Sequence, residues 1–224
     1  MTFKNVSQAE LYQLAKDAYL LVKQIRPDAK TVGPSIVSFK PKVLNALIDQ
    51  MARDGIRFDA ISWHELGKDP DVIGQHVATM RAFFKEHPGI CQPSCPEIHI
   101  NEYHGEDTMF IPGHAVGWLS NLESSNVDQA NKACWGGDVG SPISYQSCWY
   151  GFSGLLVPNK LTPQPLYWVY KFYAEMNASR FAAKSTPKAD SMTSFNAAPA
   201  NSVLSLQFDR FPAGDAFWVV VTPK

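Results

Sequence analysis

The stretch Pro96-Glu97-Ile98-His99-Ile100-Asn101-Glu102-Tyr103-His104 decides how this chain is interpreted. Its apolar residues predict a short strand, and Glu102 follows at the C-terminal end of that strand. In parallel α/β proteins the C-terminal ends of the strands carry the chemistry. Glu102 is therefore the first candidate for a catalytic residue. The alternative is a strand-end glutamate that forms a surface salt bridge.

Predicted strands and helices alternate on both sides of this stretch. Ser7 and Glu10 form a capping-box pattern that begins the first helix. Apolar spacing predicts further helices over 41–54, after Asp69-Pro70, over 112–122 and over 166–176, and strands over 31–34, 58–63, 97–102, 129–135 and 143–150. This alternation is typical of an α/β fold with a parallel sheet.

The character of the chain changes near residue 180. Residues 184–202 are rich in Ser, Pro, Ala and Thr, and two β-type runs follow at 203–208 and 216–221. The sequence therefore predicts an α/β domain over 1–180, then a linker and the start of a β-rich accessory module over 181–224.

Composition narrows the possible partners. The 224 residues are 45% hydrophobic and 18% charged, which is typical of a globular protein. A net charge of −1 favours neither nucleic acid nor an anionic membrane as a partner. No apolar run approaches the roughly 18 residues that cross a bilayer.

The four cysteines favour an oxidising, extracellular compartment. Disulfides Cys91–Cys95 and Cys134–Cys148 are the simplest pairing, although the sequence leaves the connectivity open. Sequons at Asn5 and Asn177 agree with secretion. The first residues contain no apolar signal region, so we expect a secreted protein whose beginning is missing from this chain.

Glu102 needs a partner if the chemistry is glycoside hydrolysis, because a retaining glycosidase uses two carboxyl groups about 5 Å apart. Glu65, in Ser62-Trp63-His64-Glu65, ends the preceding strand and could reach Glu102. Glu65 could equally be a loop residue that caps the helix near Asp69. His64 could contact a ligand from the same strand end.

Other chemistries have weaker patterns. The sequence contains no Gly-rich phosphate loop and no nucleophile-elbow serine. His64, His99 and His104 could suggest a metal, but His99 alternates with Ile98 and Ile100 and should point away from them. No pair of histidines has the spacing of ligands on one helix. We therefore predict no metal site and no cofactor.

Several motifs together resemble a known enzyme family. They are Tyr12-Gln13-Leu14 through Val22-Lys23, Pro27-Asp28-Ala29-Lys30-Thr31-Val32-Gly33-Pro34, residues 58–64, residues 98–103 and residues 161–168. In order and spacing they resemble the catalytic domain of clan A glycoside hydrolases over residues 8–178. The resemblance is strongest to family 39, the group of β-xylosidases and α-L-iduronidases.

The resemblance implies a (β/α)8 barrel, of which this chain would supply about strands five to eight. It implies that Glu102 is the nucleophile on the seventh strand. His64, Glu65, Tyr103 and Trp149 would shape the subsite for a carbohydrate substrate, with Trp149 near the eighth strand.

The family's acid/base lies in an Asn-Glu-Pro motif on the fourth strand, and this chain contains no such motif. A full barrel needs about 250 residues. We therefore expect a partial barrel with little activity of its own. We also expect self-association through the open half barrel, because it leaves strand edges uncovered. The alternatives are an inactive carbohydrate-binding or interaction protein derived from such an enzyme, and an unrelated α/β domain in which Glu102 is structural.

Overall fold

The computed structural model describes residues 6–67, 69–105, 108, 111–133, 154–157, 160, 162–175, 183–185 and 195–197. The chain divides into two compact units. One unit comprises Met1–Asp107 and Trp118–Cys134, and the other comprises Thr108–Gly117 and Trp135–Lys224.

Helices and strands alternate through residues 8–132. They are α1 (Gln8–Ile25), β1 (Val32–Ile36), α2 (Pro41–Arg53), β2 (Ala60–Glu65), α3 (Val72–Glu86), β3 (Glu97–Tyr103), α4 (Pro112–Ser124) and β4 (Gln129–Lys132). A short 3₁₀ helix, Pro88–Cys91, follows α3. The alternation predicted for this part of the chain is confirmed, with element ends that differ by a few residues.

The four strands form one parallel sheet in the order β1-β2-β3-β4. Each strand is hydrogen-bonded to the next in the sequence, and a helix connects each pair, as in βα units. The predicted parallel sheet is therefore confirmed. Such a sheet is compatible with part of a (β/α)8 barrel.

Local sequence signals explain how the helices begin and end. The backbone N–H of Glu10 donates to Oγ of Ser7, and the Ser7 N–H donates to the Glu10 carboxylate. The predicted capping box therefore forms. Pro41 occupies the first turn of α2, where its missing N–H costs no helical hydrogen bond. Gly55, with φ 69°, follows α2 in the left-handed conformation that glycine tolerates.

The core of the first unit combines sheet and helix side chains. Its fully buried large residues include Trp63, Ile98 and Ile100 on the strands and Leu44, Leu47, Met51, Ile73, Met80, Phe84 and Trp118 on the helices. One side of the central strands is thus apolar. The opposite side of β2 and β3 carries polar groups, which are described below.

The second unit contains α5 (Pro165–Glu175), with Leu166 and Val169 buried. It also contains the antiparallel strand pair β5 (Ala183–Ser185) and β6 (Phe195–Ala197). The predicted strands at 143–150, 203–208 and 216–221 lie outside the described residues. The boundary near residue 180 stays a prediction. Among the described helices, none is both long and apolar enough to cross a membrane.

The disulfide Cys91–Cys95 is present, as predicted. It closes the loop between the 3₁₀ helix and β3. The guanidinium of Arg57 donates to the backbone carbonyls of Gln92 and Ser94 in the same loop. Both features lie at the N-terminal end of β3, far along the strand from Glu102. Cys134 and Cys148 lie outside the described residues.

Candidate active site

The structure brings Glu102 and His64 together at the C-terminal ends of β3 and β2. Oε2 of Glu102 lies 3.3 Å from Nδ1 of His64. The side chain of Glu102 is 45% exposed and that of His64 is 19% exposed. The two side chains are close but not hydrogen-bonded, because Nδ1 of His64 has no hydrogen-bond partner among the described residues. The carboxylate is therefore accessible, with an imidazole beside one of its oxygens.

A β-bulge sets the direction of Glu102. Trp63 pairs with Ile100, but the next residue of β2, His64, pairs with Glu102, so β3 contains one extra residue, Asn101. Regular alternation would place Glu102 on the same side as Ile98 and Ile100, which are fully buried. The bulge instead turns Glu102 to the face of His64. Bulges beside active sites commonly re-aim a side chain in this way.

Polar side chains bridge β1, β2 and β3 on the Glu102 face. The amide of Asn101 donates to Oγ of Ser35, whose own backbone N–H donates to Oγ of Ser62 over 3.1 Å. Ser35 has a left-handed backbone, with φ 55°, a conformation that costs a non-glycine residue roughly 1–3 kcal/mol. This network anchors the bulge residue immediately before Glu102. Sequence reasoning did not select these three residues.

Glu65 lies on the other side of β2, among the helices. Its side chain is 6% exposed. Oε1 accepts a hydrogen bond from Nε1 of Trp63 at 2.5 Å and lies 2.6 Å from Nδ1 of His76 on α3. The ring of Phe39 stacks on His76 with centroids 4.3 Å apart. Glu65 is therefore a buried carboxylate that joins β2 to α3, and it does not share the face of Glu102.

Tyr103 also faces the helices. It pairs with Glu65 in the sheet, is 3% exposed, and its ring lies 5.8 Å from that of Trp118 on α4. Of the predicted site residues that the structure describes, only His64 therefore joins Glu102. The substrate-binding roles of Glu65 and Tyr103 stay predictions that these positions do not support. Trp149 lies outside the described residues.

The described residues contain no cluster of three or more His, Cys, Asp and Glu side chains that could hold a metal ion. Nε2 of His99 lies 2.8 Å from Oε2 of Glu97 on the same strand and donates a hydrogen bond to that carboxylate. The polar groups near Glu102 are hydroxyls, an amide and an imidazole, which can form hydrogen bonds with a polar ligand.

Lys132 ends β4 beside Tyr103, and burial lowers the pKa of its ammonium group from the usual 10.5 to about 8. Between pH 8 and 10.5 the folded protein loses this proton before the unfolded chain does, so the Lys132 contribution to stability rises with pH. Below pH 8 both states carry the charged ammonium, and its burial lowers the stability of the folded state although the ammonium donates to the backbone carbonyl of Ala133.

We expect Lys132→Met to raise the melting temperature at pH 7 and to raise it less at pH 10. Thermal melts of the variant and the parent at both pH values measure this difference. Lys30→Met is the control, because the Lys30 side chain is 80% exposed. An equal increase in melting temperature from Lys132→Met at both pH values would contradict a lowered pKa of the Lys132 ammonium.

No protein-family model matches the sequence. The sequence is 25% identical over 175 residues to the 3-O-alpha-D-galactosyl-alpha-L-arabinofuranosidase of Bifidobacterium longum subsp. longum, covering 76% of this chain and 14% of that protein. It is 24% identical over 178 residues to the 3-O-beta-L-arabinopyranosyl-alpha-L-arabinofuranosidase of Bifidobacterium pseudocatenulatum, covering 76% and 16%. The chain thus spans less than a fifth of the length of either relative.

Two solved structures resemble the fold. The structure of N2152 from Neocallimastix frontalis has a TM-score of 0.60 and 27% identity, covering 74% of this chain and 38% of that one. A glucosidase from Croceicoccus marinus has a TM-score of 0.55 and 15% identity, covering 83% and 42%, and this likeness concerns the fold alone. Both curated relatives are named as glycosidases, and the chain is distantly similar to them in sequence.

Proposed function

We propose that this chain is part of the catalytic barrel of a retaining glycoside hydrolase, with Glu102 as its nucleophile. The observation that carries the proposal is the bulge at Asn101, which turns an accessible carboxylate to the face of His64 at the C-terminal end of a parallel strand. Catalytic carboxylates of (β/α)8 enzymes lie at this end of the barrel. The distant relationship to glycosidases agrees with this chemistry.

The proposed reaction uses one oxygen of Glu102 as nucleophile. Oε1 attacks the anomeric carbon, the bond from that carbon to the leaving-group oxygen breaks, and a glycosyl ester forms on Glu102. His64 lies beside Oε2 and would hold the carboxylate in position. Water then cleaves the ester, and the product keeps the configuration of the substrate.

The acid/base that protonates the leaving group is assigned to no described residue. Glu65 is the neighbouring carboxylate in the sequence, but its oxygen Oε1 is engaged by Trp63 and His76 on the helix side of the sheet. By the resemblance to family 39, the acid/base would lie on the fourth strand of the barrel. Our proposal therefore assigns to the described part of the chain the nucleophile half of the active site.

The proposed fold is about half of a (β/α)8 barrel, corresponding to strands five to eight. Four consecutive parallel strands, each joined to the next by a helix, support this assignment. The proposed substrate is a carbohydrate O-glycoside. Since both curated relatives are named as α-L-arabinofuranosidases, an α-L-arabinofuranoside is the first substrate to test. We also propose an extracellular location, with which the disulfide Cys91–Cys95 agrees.

The stereochemistry of hydrolysis tests the proposed function. The protein is incubated with dinitrophenyl α-L-arabinofuranoside, β-D-xyloside and β-D-glucoside, because a dinitrophenolate leaves without needing a proton. Proton NMR then identifies the anomer that forms first. We expect at least one glycoside to be cleaved slowly with retention. First formation of the inverted sugar would contradict a nucleophilic Glu102, and glycan binding without any cleavage would favour the non-catalytic alternative.

A further inference from the structure

Two β-bulges lie near each other at the C-terminal end of the sheet. Asn101 is the extra residue of β3. Ser35 is the extra residue of β1, because Pro34 and Ile36 pair with consecutive residues of β2. The amide of Asn101 donates a hydrogen bond to Oγ of Ser35 across β2. The two bulge residues therefore meet on the face of the sheet that carries Glu102.

The burial of Ser62 on β2 decides which of two serine hydroxyls is the donor. Oγ of Ser62 lies 3.2 Å from Oγ of Ser35 and accepts the backbone N–H of Ser35. Ser62 is fully buried, and a buried O–H group needs an acceptor. Among the described residues, the acceptor in reach of the Ser62 hydroxyl is Oγ of Ser35. The Ser62 hydroxyl therefore donates to Ser35.

The hydroxyl of Ser35 keeps an unused donor. Its oxygen accepts hydrogen bonds from Ser62 and from Asn101, which together occupy both lone pairs of a hydroxyl oxygen. Its own O–H has no acceptor among the described residues. Beside it, Oδ1 of Asn101 has no donor among the same residues. The two bulge residues thus present one hydrogen-bond donor next to one acceptor.

The backbone of Ser35 supports a role in ligand binding. Its φ of 55° lies in the left-handed region, which glycine adopts without strain. Glycine would lack the hydroxyl, so the strained serine is what supplies the donor at this position. Strained residues of this kind cluster at ligand-binding and active sites. The strain and the unused donor therefore point to the same side chain.

We propose that Ser35 and Asn101 bind one hydroxyl group of the sugar whose anomeric carbon meets Glu102. The Ser35 hydroxyl donates to the oxygen of that group, and Oδ1 of Asn101 accepts its proton. A donor beside an acceptor matches a hydroxyl, which accepts and donates at once. A sugar that lacks this hydroxyl would leave both protein groups without a partner, so the pair determines specificity. The inference rests on the proposed function, because it takes the ligand to be a glycoside.

Titrations of the 224-residue protein, followed by NMR, test this contact. The ligands are methyl α-L-arabinofuranoside, β-D-xyloside and β-D-glucoside, and then each monodeoxy derivative of the one that binds best. Methoxide is a poor leaving group, so these glycosides survive the titration. We expect the loss of one particular hydroxyl to raise Kd about tenfold, as the loss of a hydrogen bond does. Loss of any other hydroxyl should not depend on Ser35.

The variant Ser35→Gly removes the hydroxyl and suits the left-handed backbone. It should bind the intact glycoside about tenfold more weakly and should no longer distinguish it from that one deoxy derivative. Such non-additivity identifies a direct contact. Ser124→Ala is the control, because Ser124 is exposed at the end of α4 and its hydroxyl bonds to the carbonyl of Asn121. This control should bind every sugar as the parent does.

Two results would overturn the proposal. One is an equal weakening by Ser35→Gly for the intact sugar and all its deoxy derivatives, since a purely structural effect is the same for every ligand. The other is the absence of binding of all three glycosides to the unmutated protein. Retention of the sugar-specific pattern without cleavage of any dinitrophenyl glycoside would sink the nucleophilic role of Glu102 and leave the Ser35 contact intact. Cleavage with retention, together with equal weakening, would do the reverse.

Discussion

Replacing Glu102 with glutamine should slow the release of dinitrophenolate from the glycoside that the protein cleaves best by at least about 10⁴-fold, as loss of a nucleophile does in other covalent enzymes. An amide has nearly the shape of the carboxylate but is a far poorer nucleophile, so the glycosyl ester cannot form. Because the dinitrophenolate needs no acid catalyst, its release reports on the nucleophilic step. Stopped-assay absorbance of dinitrophenolate measures the rate.

Glu97→Gln is the matched control for this prediction. Glu97 begins the same strand, β3, and has the same side chain, but it lies at the opposite end and contacts His99. We expect its rate to stay within about twofold of the parent. Equal losses in both variants would indicate a structural effect on β3, and undiminished release from Glu102→Gln would remove Glu102 from the catalytic role.

Replacing Trp63 with alanine should destabilise the protein by about 3–5 kcal/mol, the usual cost of truncating a buried aromatic residue. Trp63 is fully buried, and its ring centroid lies 5.0 Å from that of Phe39. Its Nε1 also donates to the buried carboxylate of Glu65, so the substitution removes one of the groups that stabilise this charge. Urea unfolding followed by circular dichroism measures the change.

Two further variants separate the loss of buried packing from the loss of the hydrogen bond to Glu65. Trp63→Phe keeps most of the ring and removes the N–H, so it isolates the hydrogen bond to Glu65 and should cost about 1–3 kcal/mol. Trp168→Ala truncates a tryptophan that is 43% exposed on α5 and should cost less than Trp63→Ala, since less buried area is lost. A cost for Trp63→Ala as small as that for Trp168→Ala would contradict the core placement of Trp63.

Local sequence patterns predicted most helices and strands of the first unit, because the interactions that form these elements lie within a few residues of one another. The capping box of Ser7 and Glu10 satisfies backbone groups within one turn, and apolar runs in β2 and β3 reflect burial on the helix side. The sequence predicted a disulfide between the closely spaced Cys91 and Cys95, and this disulfide is confirmed.

The rest depends on contacts between distant segments. No local sequence signal predicts the bulge at Asn101, although this bulge decides the face of the sheet on which Glu102 lies. The contact between Glu65 and His76 requires α3 to dock on β2, so sequence reasoning could not separate a buried Glu65 from a ligand-binding one.

The site at which a sugar becomes covalently attached tests the nucleophilic role of Glu102 most directly. The protein is incubated with the fluorinated dinitrophenyl form of the glycoside that it cleaves best, because the fluorine slows hydrolysis of the glycosyl ester and lets it accumulate. Peptide mapping by mass spectrometry then locates the adduct. We expect one sugar per chain, esterified to Glu102 and absent from Glu102→Gln. A label on another carboxylate, or none while the unfluorinated glycoside is cleaved, would contradict that role.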